Sequence, residues 1–205
     1  MKRLGYLAVP TLALLLMLAG NALGQDYDYY FVTYYSIANT LAPDATLRLI
    51  NDGYHLGDSD VPNVYADIYV FDDSEELQEC CSCFISNDGV LSESVDKNLT
   101  ANPLTGIKPT RGVIKVVADG FGDPTNLFPT SGLHGWMTHI QGTKVTLSPG
   151  NPVVPGVAGP FFVTETLLAD ANLSPTEQTL LQNLCLYDGL LSGKPCTCQP
   201  EDFDF

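Results

Sequence analysis

Six cysteines in two tight groups constrain this chain more than any other feature. Cys80, Cys81 and Cys83 form the first group, and Cys185, Cys196 and Cys198 the second, far downstream. What they become depends on the compartment. Residues 1–24 have the makings of a secretory signal: Lys2 and Arg3, an apolar run from Leu7 to Leu18 interrupted by Pro10, and Ala22-Leu23-Gly24 ahead of an expected cleavage at Gln25. That run is shorter than the roughly 20 residues a membrane span requires, and no later stretch is apolar enough to cross. A lipoprotein would need Cys at the position of Gln25. The expectation is a mature chain of residues 25–205, secreted, periplasmic or at the cell surface, with no transmembrane segment.

In an oxidising compartment six cysteines read first as disulfides. Of 15 possible pairings, six join the two groups throughout. A bond between adjacent Cys80 and Cys81 is disfavoured by geometry. Bonds between the groups close long loops, each stabilising by up to about 4–5 kcal/mol in the chain-entropy model. The rival is a thiolate zinc site in which Cys80 and Cys83 meet Cys196 and Cys198; export favours oxidation over it. No Cys-x-x-Cys-His occurs, so covalent haem is not expected.

The formal charge of −15, from 24 acidic against nine basic residues, argues against nucleic acid and anionic lipid as partners, since both need basic patches. Such self-repulsion keeps a protein soluble while opposing compaction, which cross-links or bound cations would offset.

Short alternating stretches dominate the chain. Tyr27–Tyr35, Thr46–Ile50, Asn63–Phe71, Val90–Val95, Val113–Ala118, Leu133–Gln141 and Phe161–Thr166 are expected strands, with Lys144–Leu147 pairing back on Leu133–Gln141. Val113–Ala118 is apolar on both faces and therefore central. Asp73-Ser74-Glu75-Glu76 resembles a helix start, and Leu77, Cys80, Cys81 and Phe84 fall at i, i+3, i+4 and i+7, which predicts a short helix carrying the first thiols. Ser174, Pro175 and Glu177 predict a capped terminal helix with Leu180, Leu181, Leu184, Cys185, Leu190 and Leu191 on its apolar side. No βαβ rhythm appears. The expected fold is mainly β: an antiparallel β-sandwich, Ig-like or jelly-roll-like, with a short Cys-bearing helix and a C-terminal helix. Residues 25–198 form one domain and 199–205 an acidic tail.

Catalytic signatures are missing: there is no Gly-x-Ser-x-Gly, His-Glu-x-x-His, Walker loop or dinucleotide fingerprint. A glycosidase needs only two carboxylates and leaves no motif. His134 and His139, five apart on a strand, point to opposite faces, which argues against their sharing a metal. Trp136 shares a face with His134. An exposed Trp stacks on a sugar ring, whereas a lone Trp in a sandwich more often belongs to the core. Two acidic loops are Ca²⁺ candidates, one around Asp58 and Asp60 and one around Asp119 and Asp123, though neither has EF-hand spacing. Asn98-Leu99-Thr100 is a glycosylation acceptor only in a host that glycosylates exported chains.

The runs Ile68-Tyr69-Val70-Phe71 and Glu79-Cys80-Cys81-Ser82-Cys83-Phe84-Ile85-Ser86, with Arg111-Gly112-Val113-Ile114-Lys115, Leu173-Ser174-Pro175-Thr176-Glu177 and Cys196-Thr197-Cys198, carry a resemblance. Over residues 45–198 the chain resembles a family of uncharacterised exported bacterial proteins, whose Cys-Cys-x-Cys motif and C-terminal Cys-x-Cys are its most specific part. The resemblance implies bacterial export and one shared domain, and supplies no catalytic residue.

The expected function is non-catalytic: a secreted, disulfide-stabilised binding or structural protein at the cell surface or in the matrix. Its partner would be a surface, matrix or carbohydrate component met through loops 119–132 and 149–160, with no cofactor except Ca²⁺. The competing readings are a polysaccharide-active hydrolase and a metal-binding module.

Overall fold

The computed structural model describes residues 29–37, 45–53, 64–142 and 161–191. Its strands are β1 (Tyr30–Ser36), β2 (Thr46–Asn51), β3 (Val64–Asp72), β4 (Leu77–Ile85), β5 (Val90–Ser94), β6 (Arg111–Asp119), β7 (Leu133–Gly142), β8 (Phe161–Leu167) and the two-residue β9 (Ala169–Asp170). Among the described residues a π-helical turn, Val95–Leu99, follows β5, and an α-helix, α1, spans Pro175–Leu191. The strands assemble into a five-stranded sheet ordered β4-β3-β6-β1-β9 and a four-stranded sheet ordered β5-β2-β7-β8. All pairings are antiparallel.

Strand periodicity sorts the side chains between faces. Phe31, Ala66, Ile68, Ile114 and Val116 of the larger sheet meet Leu47, Leu49, Leu91, Leu133 and Met137 of the smaller one in a single buried core. The mainly β, two-sheet antiparallel architecture expected from the alternation is therefore present, and β6 is central in its sheet, paired to β1 and to β3. A second core lies on the outer face of the five-stranded sheet. There Tyr30, Tyr69, Phe71, Cys80 and Val117 pack beneath Leu173, Leu181 and Cys185. The molecule is thus layered: helix, sheet, sheet.

The Cys-bearing helix is a correction. Residues 77–85 form strand β4, an edge strand paired along β3. Asp72 accepts from the Ser74 and Glu76 amides, as a helix cap would. However, Glu75 adopts a positive φ of 66° and the Glu76 carbonyl accepts from the Asp72 amide, so the chain doubles back as a hairpin instead of coiling. The same side-chain acceptor serves a tight turn as readily as a helix start. The i, i+3, i+4 apolar pattern reflects a strand buried on both faces, where periodicity cannot choose between strand and helix.

Helix α1 begins as predicted, with Ser174 Oγ accepting from the Glu177 amide at 3.1 Å. Glu177 does not close a capping box; its carboxylate instead accepts from Tyr30 Oη and Lys115 Nζ on the sheet below. Leu181 and Cys185 are buried as expected, whereas Leu180 faces solvent. Strand β7 pairs with β8; the predicted return strand Lys144–Leu147 lies outside the described residues.

Candidate binding site

The cysteines are disposed by strand alternation. Cys80 faces outward from β4 and is bonded to Cys185 of α1, with Cα atoms 5.8 Å apart. Cys81 and Cys83 face the inter-sheet core and are also disulfide-bonded; none of the described cysteines is free. A sulfur held in a disulfide is not a thiolate ligand. Cys196 and Cys198 lie outside the described residues.

Of the candidate Ca²⁺ ligands, Asp119 and Asp123 are described, and each is engaged within its own loop. Asp119 is buried and serves as a loop clamp, its carboxylate accepting from the amides of Phe121, Gly122 and Phe128. Asp123 accepts from the amide and hydroxyl of Thr125. Among the described residues no group of three His, Cys, Asp or Glu is arranged to hold a metal ion. Asp58, Asp60 and His55 lie outside the described residues.

The outer face of the four-stranded sheet is built from the alternate residues that the core leaves over. Trp136 belongs to neither core and is partly exposed there, against the expectation for a lone Trp in a sandwich. Register places Arg48 of β2 on one side of it and Leu167 of β8 on the other. Two residues along β7, Thr138 accepts from Arg48 at 2.6 Å, and Arg48 lies 3.6 Å from Glu165 of β8. At the other end His134 Nε2 stands 3.0 Å from Asp52. His139, on the opposite face by parity, stacks near Tyr34 with ring centroids 6.1 Å apart, and burial lowers its pKa. The two histidines do not meet. The open face therefore joins one large aromatic ring to a row of charged and hydroxyl groups held in place by one another.

A different set of acids is buried. Asp67 on β3 is fully enclosed, and burial pushes its carboxyl up to about 8 while Ser82, opposite on β4, opposes that rise. Glu79 is likewise pushed up to about 8 by burial, offset by the Asn102 amide it accepts from. Asp188 of α1 is buried with a carboxylate oxygen 3.5 Å from the Cys80 sulfur. None of the three is reachable by a polymeric substrate.

No family model, no curated protein and no solved structure matches the chain. Sequence reasoning had picked out Trp136 and His134 but missed Arg48 and Glu165. The signal was there: both fall on the polar phase of otherwise β-prone stretches, but which strands lie side by side was not deducible.

Proposed function

We propose that the protein is a secreted, disulfide-stapled, non-catalytic module that binds a neutral polysaccharide on the outer face of its four-stranded sheet. Trp136, partly exposed between Arg48 and Leu167, carries this reading. An indole offers an apolar plate for a sugar ring, while Arg48, Glu165, Thr138 and the His134–Asp52 pair present donors and acceptors at strand spacing for its hydroxyls. These side chains are held by mutual contacts, so little ordering is left for binding to impose. The net charge of −15 disfavours acidic polymers and leaves neutral glycans.

Hydrolysis on this face is disfavoured by distance. Among the described residues its carboxylates are Glu165, opposite Thr138, and Asp52, which follows the partner of Leu133. Five residues of strand separate Thr138 from Leu133, about 17 Å, whereas glycosidase carboxyls stand roughly 5–10 Å apart. Retention of the mature protein on insoluble neutral glucans and chitin tests the proposal, with reducing ends measured afterwards. Trp136→Ala is expected to lower retention at least about tenfold with thermal stability unchanged. Equal retention of the variant, or steady accumulation of new reducing ends, would sink the reading.

A further inference from the structure

The loop of residues 120–130, joining β6 to β7, exposes two aromatic rings, yet it is anchored at many points. Asp119 gathers three of its amides. The Phe128 carbonyl accepts from the Gly120 amide at 3.0 Å, and the Pro124 carbonyl from Tyr69 Oη at 2.7 Å. Gln178 of α1 donates to the Leu127 carbonyl at 3.1 Å, and the Leu127 side chain is buried in the outer core. Gly122, at φ +71°, lies so close to Tyr65 that an added Cβ would come within 2.4 Å of the ring.

On this frame Phe121 and Phe128 pack edge to face, 5.1 Å between centroids, and remain 70% and 63% exposed. Tyr65, beneath Gly122, packs in turn against Phe84 of edge strand β4 at 5.4 Å, and Phe84 is itself 44% exposed. Four rings thus form one strip running from the loop to the sheet edge. A pinned loop that buries Leu127 while turning out both phenylalanines is arranged to present them.

The chemistry around the strip selects its occupant. The amides of Phe121, Gly122 and Phe128 and the Tyr69 hydroxyl are already spent on internal bonds, so few groups remain to read sugar hydroxyls. The loop carries the Asp123 carboxylate, and the sequence holds no Lys or Arg between Lys115 and Lys144. An anionic membrane would be repelled by this local charge and by the whole molecule. We propose that the strip is a docking site for an apolar segment of another protein flanked by Lys or Arg. Apolar side chains would pack on the rings, and the cations would find Asp123 and the ring faces.

The test uses the full mature chain and a labelled amphipathic peptide of Leu and Lys, followed by fluorescence anisotropy at physiological salt. Binding is expected, and the double variant Phe121→Ala/Phe128→Ala should weaken it by at least about tenfold. Replacing Lys by Glu in the peptide should abolish it, while Trp136→Ala should leave it unchanged. Phe84→Ala, at the far end of the strip, supplies a second variant on a different element. Urea midpoints confirm that each variant is folded. Absence of binding, affinity unaffected by both aromatic variants, or stronger binding to phosphatidylcholine vesicles lost in the same variants overturns the proposal.

Discussion

Asp67 is enclosed between Ser82 on one neighbouring strand and Val117 on the other, with Asp119 and Asp123 adding repulsion to the cost of burial. Its carboxyl titrates near 8 in the folded protein and near 3.8 as an ordinary aspartate. Between those values the folded chain holds a proton that the unfolded chain has released. Stability therefore falls as pH rises from about 4 to about 8, and Glu79 acts in the same direction over the same window. The melting temperature is expected to drop by several degrees between pH 5 and pH 8. In Asp67→Asn that drop should shrink by about half, because the amide cannot ionise. Calorimetry across this range checks it; an unaltered slope would mean the carboxyl is solvated. The same scale shows where reading the sequence stops short. Trp136, His134 and the opposite facing of His139 were legible from alternation, but the enclosure of Asp67 was not, because it depends on β4 and β6 lying on either side of β3, a pairing set by residues remote in the chain.

Strands β3, β5, β6 and β7 and the start of α1 were legible because alternation, turn residues and the Ser174–Pro175 pair act locally. Strand β4 was not. It is largely buried on both faces, so a strand covered by a core above and a helix below imitates a helical stripe. The helix that covers it is joined to it by the Cys80–Cys185 bond. Cys185→Ala should destabilise the protein by about 2–4 kcal/mol and strip hydrogen-exchange protection from α1 before β6. Uniform loss across both elements would show that α1 and the sheet unfold as one. For the loop of residues 120–130, Asp119→Ala removes the acceptor of three amides and should cost about 3 kcal/mol, read as a lowered urea midpoint at constant slope.

For the molecule as a whole, excess negative charge acts against a layered body of helix, sheet and sheet, and cross-links between sequence-distant parts oppose that repulsion. The expectation that the early thiols join the late ones is met for Cys80 and Cys185. Cys81 and Cys83 are oxidised too, which leaves Cys196 and Cys198 as their expected partners in one of two connectivities. Non-reducing peptide mapping should recover both sulfurs of the first group linked to the final Cys-x-Cys, and free thiols there would break the scheme. Partner choice among neighbouring sulfurs was illegible in the sequence because it turns on the face each one takes, and Cys80 and Cys81 take opposite faces of one strand. The Cys80–Cys185 link has a mechanical consequence as well. The bond bridges 105 residues of chain, so a molecule tugged by its two ends while attached to a surface cannot unravel its interior. On the order of 350 Å of slack stays locked within the closed loop until a reductant arrives.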